Sequence, residues 1–187
     1  MKICLIGCGK MGSSLLEGWS PLKVIKHITI IEPNLDEIPS KLLNIKSFNF
    51  YKTIEEAENF SFDITVLAVK PQVMEVVLKQ ILNLNFISDS WLSIAAGLTV
   101  NFFENALGND QQIIRTIPNT PASIKKGVTA IYFNRSCKNK TMNESILLMK
   151  AVGETIIVDD ENLMDAYTAV SGSGPAYIFY FVEAIIS

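Results

Sequence analysis

The chain has 187 residues, of which 49% are hydrophobic, so it is long enough to bury one substantial core. Its formal net charge of −3 provides no basic field for nucleic acid or for an anionic membrane surface. The three cysteines lack metal-ligand spacing and there is a single histidine, so no metal site is expected. The odd number of cysteines and the early glycines and Lys10 disfavour a secreted protein, and a cytoplasmic location is expected.

Short apolar runs alternate with helical patterns along the chain. Strands are predicted at Ile3–Ile6 and then in HITIIEP, SFNFY, DITVLAVKP, SWLSIAAG, QQIIRTIPN, VTAIYF and TIIVDD. Helices are predicted after the first strand, over Leu35–Leu43, in QVMEVVLKQILNL, in VNFFENAL and over Asn143–Val152. The apolar face of QVMEVVLKQILNL is predicted to consist of Val73, Val76, Val77, Ile81 and Leu84. This alternation predicts an α/β fold with a Rossmann-like, doubly wound, mostly parallel sheet.

A glycine-rich turn, GCGKMG, joins the first predicted strand to the first predicted helix. In a dinucleotide-binding fold, Gly7 allows the tight turn, Gly9 lets the backbone approach a pyrophosphate, and Gly12 lets the helix pack close to the strand. The helix N-terminus supplies N–H groups and the positive end of its dipole to the phosphates. The pattern is weak by itself, but its strand–turn–helix context predicts dinucleotide binding. The alternative is a tight turn without a ligand.

An acidic residue, Glu32, follows the second predicted strand, where such folds place the carboxylate that bonds the ribose hydroxyls. A carboxylate about 5 Å from a 2′-phosphate would cost roughly 3 kcal/mol per unit charge at an effective dielectric of about 20. No arginine follows closely, and the first cation after Glu32 is Lys41. Taken alone, Glu32 therefore favours NAD over NADP. The alternative is a solvated turn residue whose side chain points away.

Four further motifs end predicted strands or open the last helix. AVKP places Lys70 at the carboxyl edge of the sheet, as a phosphate or ribose contact or as an ordinary exposed lysine. SIAAG has small residues that leave room for a flat ring or simply form a tight turn. RTIPNTP holds Asn119 and Thr120 between two prolines that stiffen the loop. SGSGPAYIF places Pro175 in the first turn of a helix.

Together, IGCGKMG, AVKP, SIAAG, PNTP and SGSGPAY resemble the motifs of pyrroline-5-carboxylate reductases in order and spacing, over essentially the whole chain. The resemblance implies reduction of the cyclic imine of pyrroline-5-carboxylate to L-proline, with NADPH or NADH as hydride donor. With Glu32, it gives these cofactor-binding candidates: Ile6, Gly7, Cys8, Gly9, Lys10, Met11, Glu32, Asn34, Ala68, Val69, Lys70 and Pro71. Members of the family often use NADPH, which opposes the argument from Glu32, so the choice between NADP and NAD stays open.

Asn119 and Ser173 are the candidates on the substrate side, and no catalytic residue is identified. His27 precedes the second predicted strand, away from the carboxyl edge, so it is not expected to act as a catalyst. If the imine arrives protonated, positioning of the two reactants can supply most of the rate.

Residues 1–160 are expected to form the cofactor domain and residues 161–187 the beginning of a helical domain. The resemblance implies that a complete helical domain dimerises and binds the substrate carboxylate. A chain ending at Ser187 is therefore expected to be truncated. It is expected to bind cofactor but to have little reductase turnover. The family's homo-oligomer is therefore not assumed for it. The run AYIFYFVEAIIS is apolar on every side and is expected to be too short to cross a bilayer.

Two other functions stay open. A dehydrogenase of the β-hydroxyacid type shares the glycine pattern but needs a catalytic lysine on a later helix, and PNTP and SGSGPAY disfavour it. A non-catalytic dinucleotide-binding fragment belongs to a different class, and turnover measured beside cofactor binding separates it from an enzyme.

Overall fold

Strands and helices alternate along the chain as predicted. The computed structural model describes residues 1–57 and 60–186; Ser187, the end of the predicted helical segment, lies outside them. The strands are β1 (Lys2–Ile6), β2 (His27–Ile31), β3 (Phe48–Tyr51), β4 (Ser61–Phe62), β5 (Ile64–Leu67), β6 (Ile87–Ser88), β7 (Ser90–Ser93), β8 (Gln112–Ile117), β9 (Gly127–Phe133) and β10 (Gly153–Ile157). The helices are α1 (Lys10–Trp19), α2 (Ser40–Leu43), α3 (Pro71–Leu82), α4 (Val100–Leu107), α5 (Asn139–Lys150), α6 (Met164–Tyr167) and α7 (Gly174–Ile186).

The main sheet of the described residues has eight strands in the order β10-β9-β8-β7-β5-β1-β2-β3. Every pairing from β8 to β3 is parallel, so these strands end at one common edge. β9 runs antiparallel to β8, and β10 is parallel to β9. The predicted mostly parallel, doubly wound sheet is therefore confirmed, with a reversed pair of strands at one side.

Both faces of the sheet are covered, which explains why its central strand reads as an unbroken apolar run. Ile3 and Leu5 of β1 pack in one core with α1 and α5, whereas Cys4 and Ile6 pack in a second core with α3 and α4. The indole N–H of Trp19 donates to the Leu148 carbonyl at 2.9 Å and ties α1 to α5. The turn between β1 and α1 is thus anchored from both sides.

The helix predicted over Leu35–Leu43 is wrong as a single element. Leu35–Glu37 forms a short 3₁₀ turn, Ile38 is extended, and α2 begins only at Ser40. Pro39 explains the break, because a proline disfavours helical backbone at the residue before it. The fifth helix, predicted over Asn143–Val152, instead begins at Asn139 and ends at Lys150.

The apolar face predicted for the third helix is only partly right. The buried side chains of α3 are Met74, Leu78 and Ile81, whereas Val73 and Val76 are 46% and 58% exposed. Apolar side chains cover most of this helix apart from the side that carries Glu75 and Lys79, so apolar character alone does not identify its core-facing side.

The helix at the end of the described residues is longer than predicted. A continuous helical run extends from Glu161 to Ile186, 26 residues, through a π-helical turn at Thr168–Gly172. By length and composition it is long and apolar enough to cross a bilayer, so the expectation that it is too short is wrong. Pro175 lies in the first turn of α7 as predicted, but the residues before α7 form a π-helical turn that joins it to α6. The large apolar side chains of α7, including Tyr177, are exposed.

Candidate cofactor site

The glycine turn is held tightly on two sides and is open on the third. Gly7 has a φ of +94°, and a Cβ there would lie 2.7 Å from the Ala68 carbonyl oxygen. A Cβ on Gly12 would lie 2.5 Å from the Gly7 carbonyl oxygen, so α1 contacts the turn directly. A Cβ on Gly9 would meet nothing within 4 Å. Gly7 and Gly12 are therefore required by packing, whereas Gly9 leaves open space at the N-terminus of α1.

Two clefts meet at Gly9. One, of about 550 Å³, lies at the carboxyl ends of β1, β2 and β5 and is lined by Gly7, Gly9, Glu32 and Lys70 among others. The other, of about 750 Å³, lies beside the first turn of α1 and also reaches Thr120. An extended molecule with two halves and an anionic centre fits this arrangement, because the centre would lie at a helix N-terminus.

The wall of the first cleft accounts for part of the exposed apolar face of α3. Val73 and Val77 line this cleft together with Ile54 and Val69. Mostly apolar walls with a few polar groups are typical of cofactor sites. The residues present therefore fit a nicotinamide dinucleotide, with apolar surface for a flat ring and open backbone at Gly9 for a pyrophosphate.

The Glu32 side chain turns toward the glycine turn. Its Oε2 accepts a hydrogen bond from the Cys8 N–H at 2.7 Å, and its Oε1 accepts one from the Asn34 N–H at 3.0 Å. The Glu32 N–H donates to the Tyr51 carbonyl at 2.9 Å and fixes this residue beside β3. The alternative of a turn residue pointing away from the cleft is thus wrong.

The other cofactor-binding candidates lie around these clefts. Ile6, Ala68 and Val69 line the first cleft, and Cys8, Lys10 and Met11 line the second. Pro71 is the first residue of α3, whereas Asn34 is exposed and its side-chain amide donates to Glu37 at 2.7 Å. The structure thus brings the glycine turn and the AVKP segment together.

The thiol of Cys8 is not poised to act as a nucleophile. Burial raises its pKa, a hydrogen bond with Ser13 lowers it, and the charge of Glu32 raises it further. The thiol is therefore protonated at neutral pH, and the thiolate is the reactive form of cysteine.

Of the two substrate-side candidates, Asn119 has both polar atoms of its side-chain amide engaged in hydrogen bonds within the protein. Its Nδ2 donates to the Ser171 carbonyl and hydroxyl oxygens, each at 3.2 Å, and its Oδ1 accepts from the Val128 N–H at 2.8 Å. Asn119 therefore holds the π-helical turn against the end of β8. Within residues 1–57 and 60–186, the Ser173 hydroxyl makes no hydrogen bond and its backbone N–H bonds to Thr168.

Two features at this edge were not assigned a role from the sequence. Arg115 on β8 is 1% exposed, and its Nη atoms contact Glu161 at 3.1 Å and Asp165 at 2.9 Å, which fastens the helical run to the sheet. Lys52, directly after β3, lines the first cleft. Arg115 could have been singled out from the sequence, because it is a charged residue inside an apolar strand. The position of Lys52 could not, because Lys52 reaches the cleft only through the order of the strands in the sheet.

Two family models match the chain. Residues 2–97 match the model described as NADP oxidoreductase, coenzyme F420-dependent. Residues 161–187 match the model described as pyrroline-5-carboxylate reductase dimerisation.

Similar proteins cover nearly the whole chain. It is 33% identical to the pyrroline-5-carboxylate reductase of Methanosarcina acetivorans, over 98% of this chain and 68% of that protein. A pyrroline-5-carboxylate reductase structure from Coxiella burnetii superposes with a TM-score of 0.83 at 29% identity, covering 97% of this chain and 67% of the other. The Plasmodium falciparum pyrroline carboxylate reductase with NADP bound gives 0.78 at 27% identity, covering 100% and 68%.

Proposed function

The chain belongs to the pyrroline-5-carboxylate reductase family, and from this membership we propose that it acts in reduction of 1-pyrroline-5-carboxylate to L-proline with NADPH or NADH. The observation that supports this most strongly within the molecule is the open backbone at Gly9, where two clefts meet at the N-terminus of α1. This arrangement suits a molecule with two nucleotide halves joined by a pyrophosphate.

The proposed roles follow from position. The turn from Gly7 to Met11 binds the pyrophosphate through backbone N–H groups, and the segment Ala68–Pro71 borders the nucleotide half in the first cleft. Asn119 acts as a positioning residue that keeps the turn containing Ser171 and Ser173 beside the carboxyl edge.

The reaction needs a hydride on carbon and a proton on nitrogen. When bound, the reduced dinucleotide supplies the hydride, which adds to the carbon of the C=N bond, while the electron pair of that bond moves to nitrogen. Nitrogen takes up the proton, either before or during the addition. The chain contributes mainly orientation, which is worth several orders of magnitude in rate when both reactants are held in place.

Product analysis tests this proposal. Chain incubated with pyrroline-5-carboxylate and NADPH deuterated at the transferred position should form proline with deuterium at the former imine carbon. A β-oxoacid offered with the same deuterated cofactor should give no labelled hydroxyacid, which separates this activity from that of a β-hydroxyacid dehydrogenase. Cofactor binding without any labelled proline would favour the non-catalytic alternative.

The preference between the two cofactors depends on Glu32 in this proposal. Replacing Glu32 by serine should raise NADPH affinity relative to NADH, because it removes a carboxylate that opposes a 2′-phosphate. The ratio of the two dissociation constants is the readout, since loss of the bonds to Cys8 and Asn34 loosens the turn for both cofactors. An unchanged ratio would show that Glu32 does not face the ribose.

We also propose a homo-oligomer, with residues 1–160 as the cofactor domain and residues 161–187 as part of the helical domain. The exposed apolar side chains of α7 support this, because such a surface is typical of a protein interface. We further propose that the protein is cytoplasmic and that α7 packs against protein rather than inserting in a membrane.

A further inference from the structure

We infer that Lys52 is the residue that recognises the 2′-phosphate of NADP, so that the chain accepts NADPH despite Glu32. This inference rests on the proposed binding of a nicotinamide dinucleotide in the first cleft. Lys52 follows a strand that is far from the glycine turn in sequence.

The first observation is where β3 ends. β3 pairs in parallel with β2, with Tyr51 opposite Ile31, so the residues that follow each strand lie side by side. Lys52 therefore emerges at the same edge as Glu32, and both line the first cleft. In dinucleotide folds this is the edge where the acid after the second strand meets the ribose. A cation here is placed to meet a phosphate on that ribose.

The second observation is that the Glu32 carboxylate is already bonded. Both of its oxygens accept backbone N–H groups, from Cys8 and from Asn34. Hydrogen bonds from N–H dipoles stabilise the carboxylate in place and draw it toward the turn. The charge that opposes a 2′-phosphate is thus partly balanced, although it is not removed.

The third observation concerns the cations. Lys41, the first lysine after Glu32 in sequence, is paired with Glu17 at 2.8 Å and does not line the first cleft. Within the described ranges, the ammonium groups of Lys52 and Lys70 form no ion pair, while Glu55 is the second acid of the cleft. Lys70 lies in the AVKP segment at the start of α3, on the far side of β1 from β3. Of the two lysines that line the first cleft, Lys52 is therefore the one beside β2, the strand that Glu32 follows.

Binding titrations test the inference directly. Wild-type chain, Lys52→Gln and Lys46→Gln would each be titrated with NADPH and with NADH, following nicotinamide fluorescence. Lys46 is a matched control: it is exposed, carries the same charge, and lies beyond the opposite end of β3, a strand that alone spans roughly 10 Å at about 3.3 Å per residue. That distance exceeds the Debye length at physiological salt, about 8 Å.

We expect Lys52→Gln to weaken NADPH about tenfold and to change NADH by less than about twofold, with Lys46→Gln changing neither. Lys52→Arg should restore NADPH binding, and added salt should shrink the difference between wild type and Lys52→Gln. Equal weakening of both cofactors, or no weakening of either, would overturn the role of Lys52 while leaving cofactor binding in place. Failure of the wild-type chain to bind either cofactor would overturn the proposed function as well.

Discussion

Replacing Gly9 by valine should weaken the binding of both NADPH and NADH at least about 100-fold, which corresponds to about 2.7 kcal/mol. The side chain would fill the open space at the N-terminus of α1, where the pyrophosphate must approach backbone N–H groups. Fluorescence titration of both cofactors is the measurement.

The fold should tolerate this change. Nothing lies within 4 Å of a Cβ on Gly9, and its φ of −63° and ψ of −165° suit any L-residue. The cost should be at most about 1 kcal/mol, the usual loss when a helix N-cap becomes a non-capping residue. Unchanged affinity in a folded Gly9→Val variant would remove the glycine turn from the cofactor site.

Unlike Gly9→Val, which the fold should tolerate, replacing Gly12 by alanine should destabilise the fold. In an ordinary helix interior this substitution stabilises by about 1 kcal/mol. Here the added Cβ would lie 2.5 Å from the backbone oxygen of Gly7, so α1 and the turn must move apart, at a cost of about 1–3 kcal/mol. Urea unfolding of wild type and Gly12→Ala measures the difference.

Ser14→Ala is the matched control for that experiment. Ser14 lies on the same helix and its hydroxyl bonds only to the Lys10 carbonyl in the described part of the chain, so alanine there should be neutral or slightly stabilising. A Gly12→Ala variant as stable as Ser14→Ala would mean that α1 and the turn do not require the close contact.

Local patterns predicted the parts of the site that depend on neighbouring residues. The turn from Gly7 to Gly12 joins a buried strand to a helix as expected, because spacing within one βα unit is a local property. The sheet was also predictable, since apolar runs covered on both faces alternate with helices. The break in the second predicted helix is also a local property, because Pro39 disfavours helical backbone at Ile38.

The remaining features depend on contacts between distant parts of the chain. The reversed direction of β9 is set by its pairing with β8, and the core-facing side of α3 is set by the sheet beneath it. Lys52 reaches the cleft only because β3 lies beside β2. The bonds of Asn119 to Val128 and Ser171 likewise bring together three separate segments. No periodicity or spacing in the sequence encodes these juxtapositions.

The central claim is that a nicotinamide dinucleotide binds at the carboxyl edge of the sheet, across Gly9. Backbone amide NMR shifts of ¹⁵N-labelled chain, recorded during titration with NADPH, test it most directly. The largest changes should fall on Cys8, Gly9 and Lys10 and on residues 68–70. The opposite edge offers a cleft of about 420 Å³ lined by Lys2, Asp63 and Lys140. Shifts confined to that cleft, with the glycine turn unaffected, would contradict the claim.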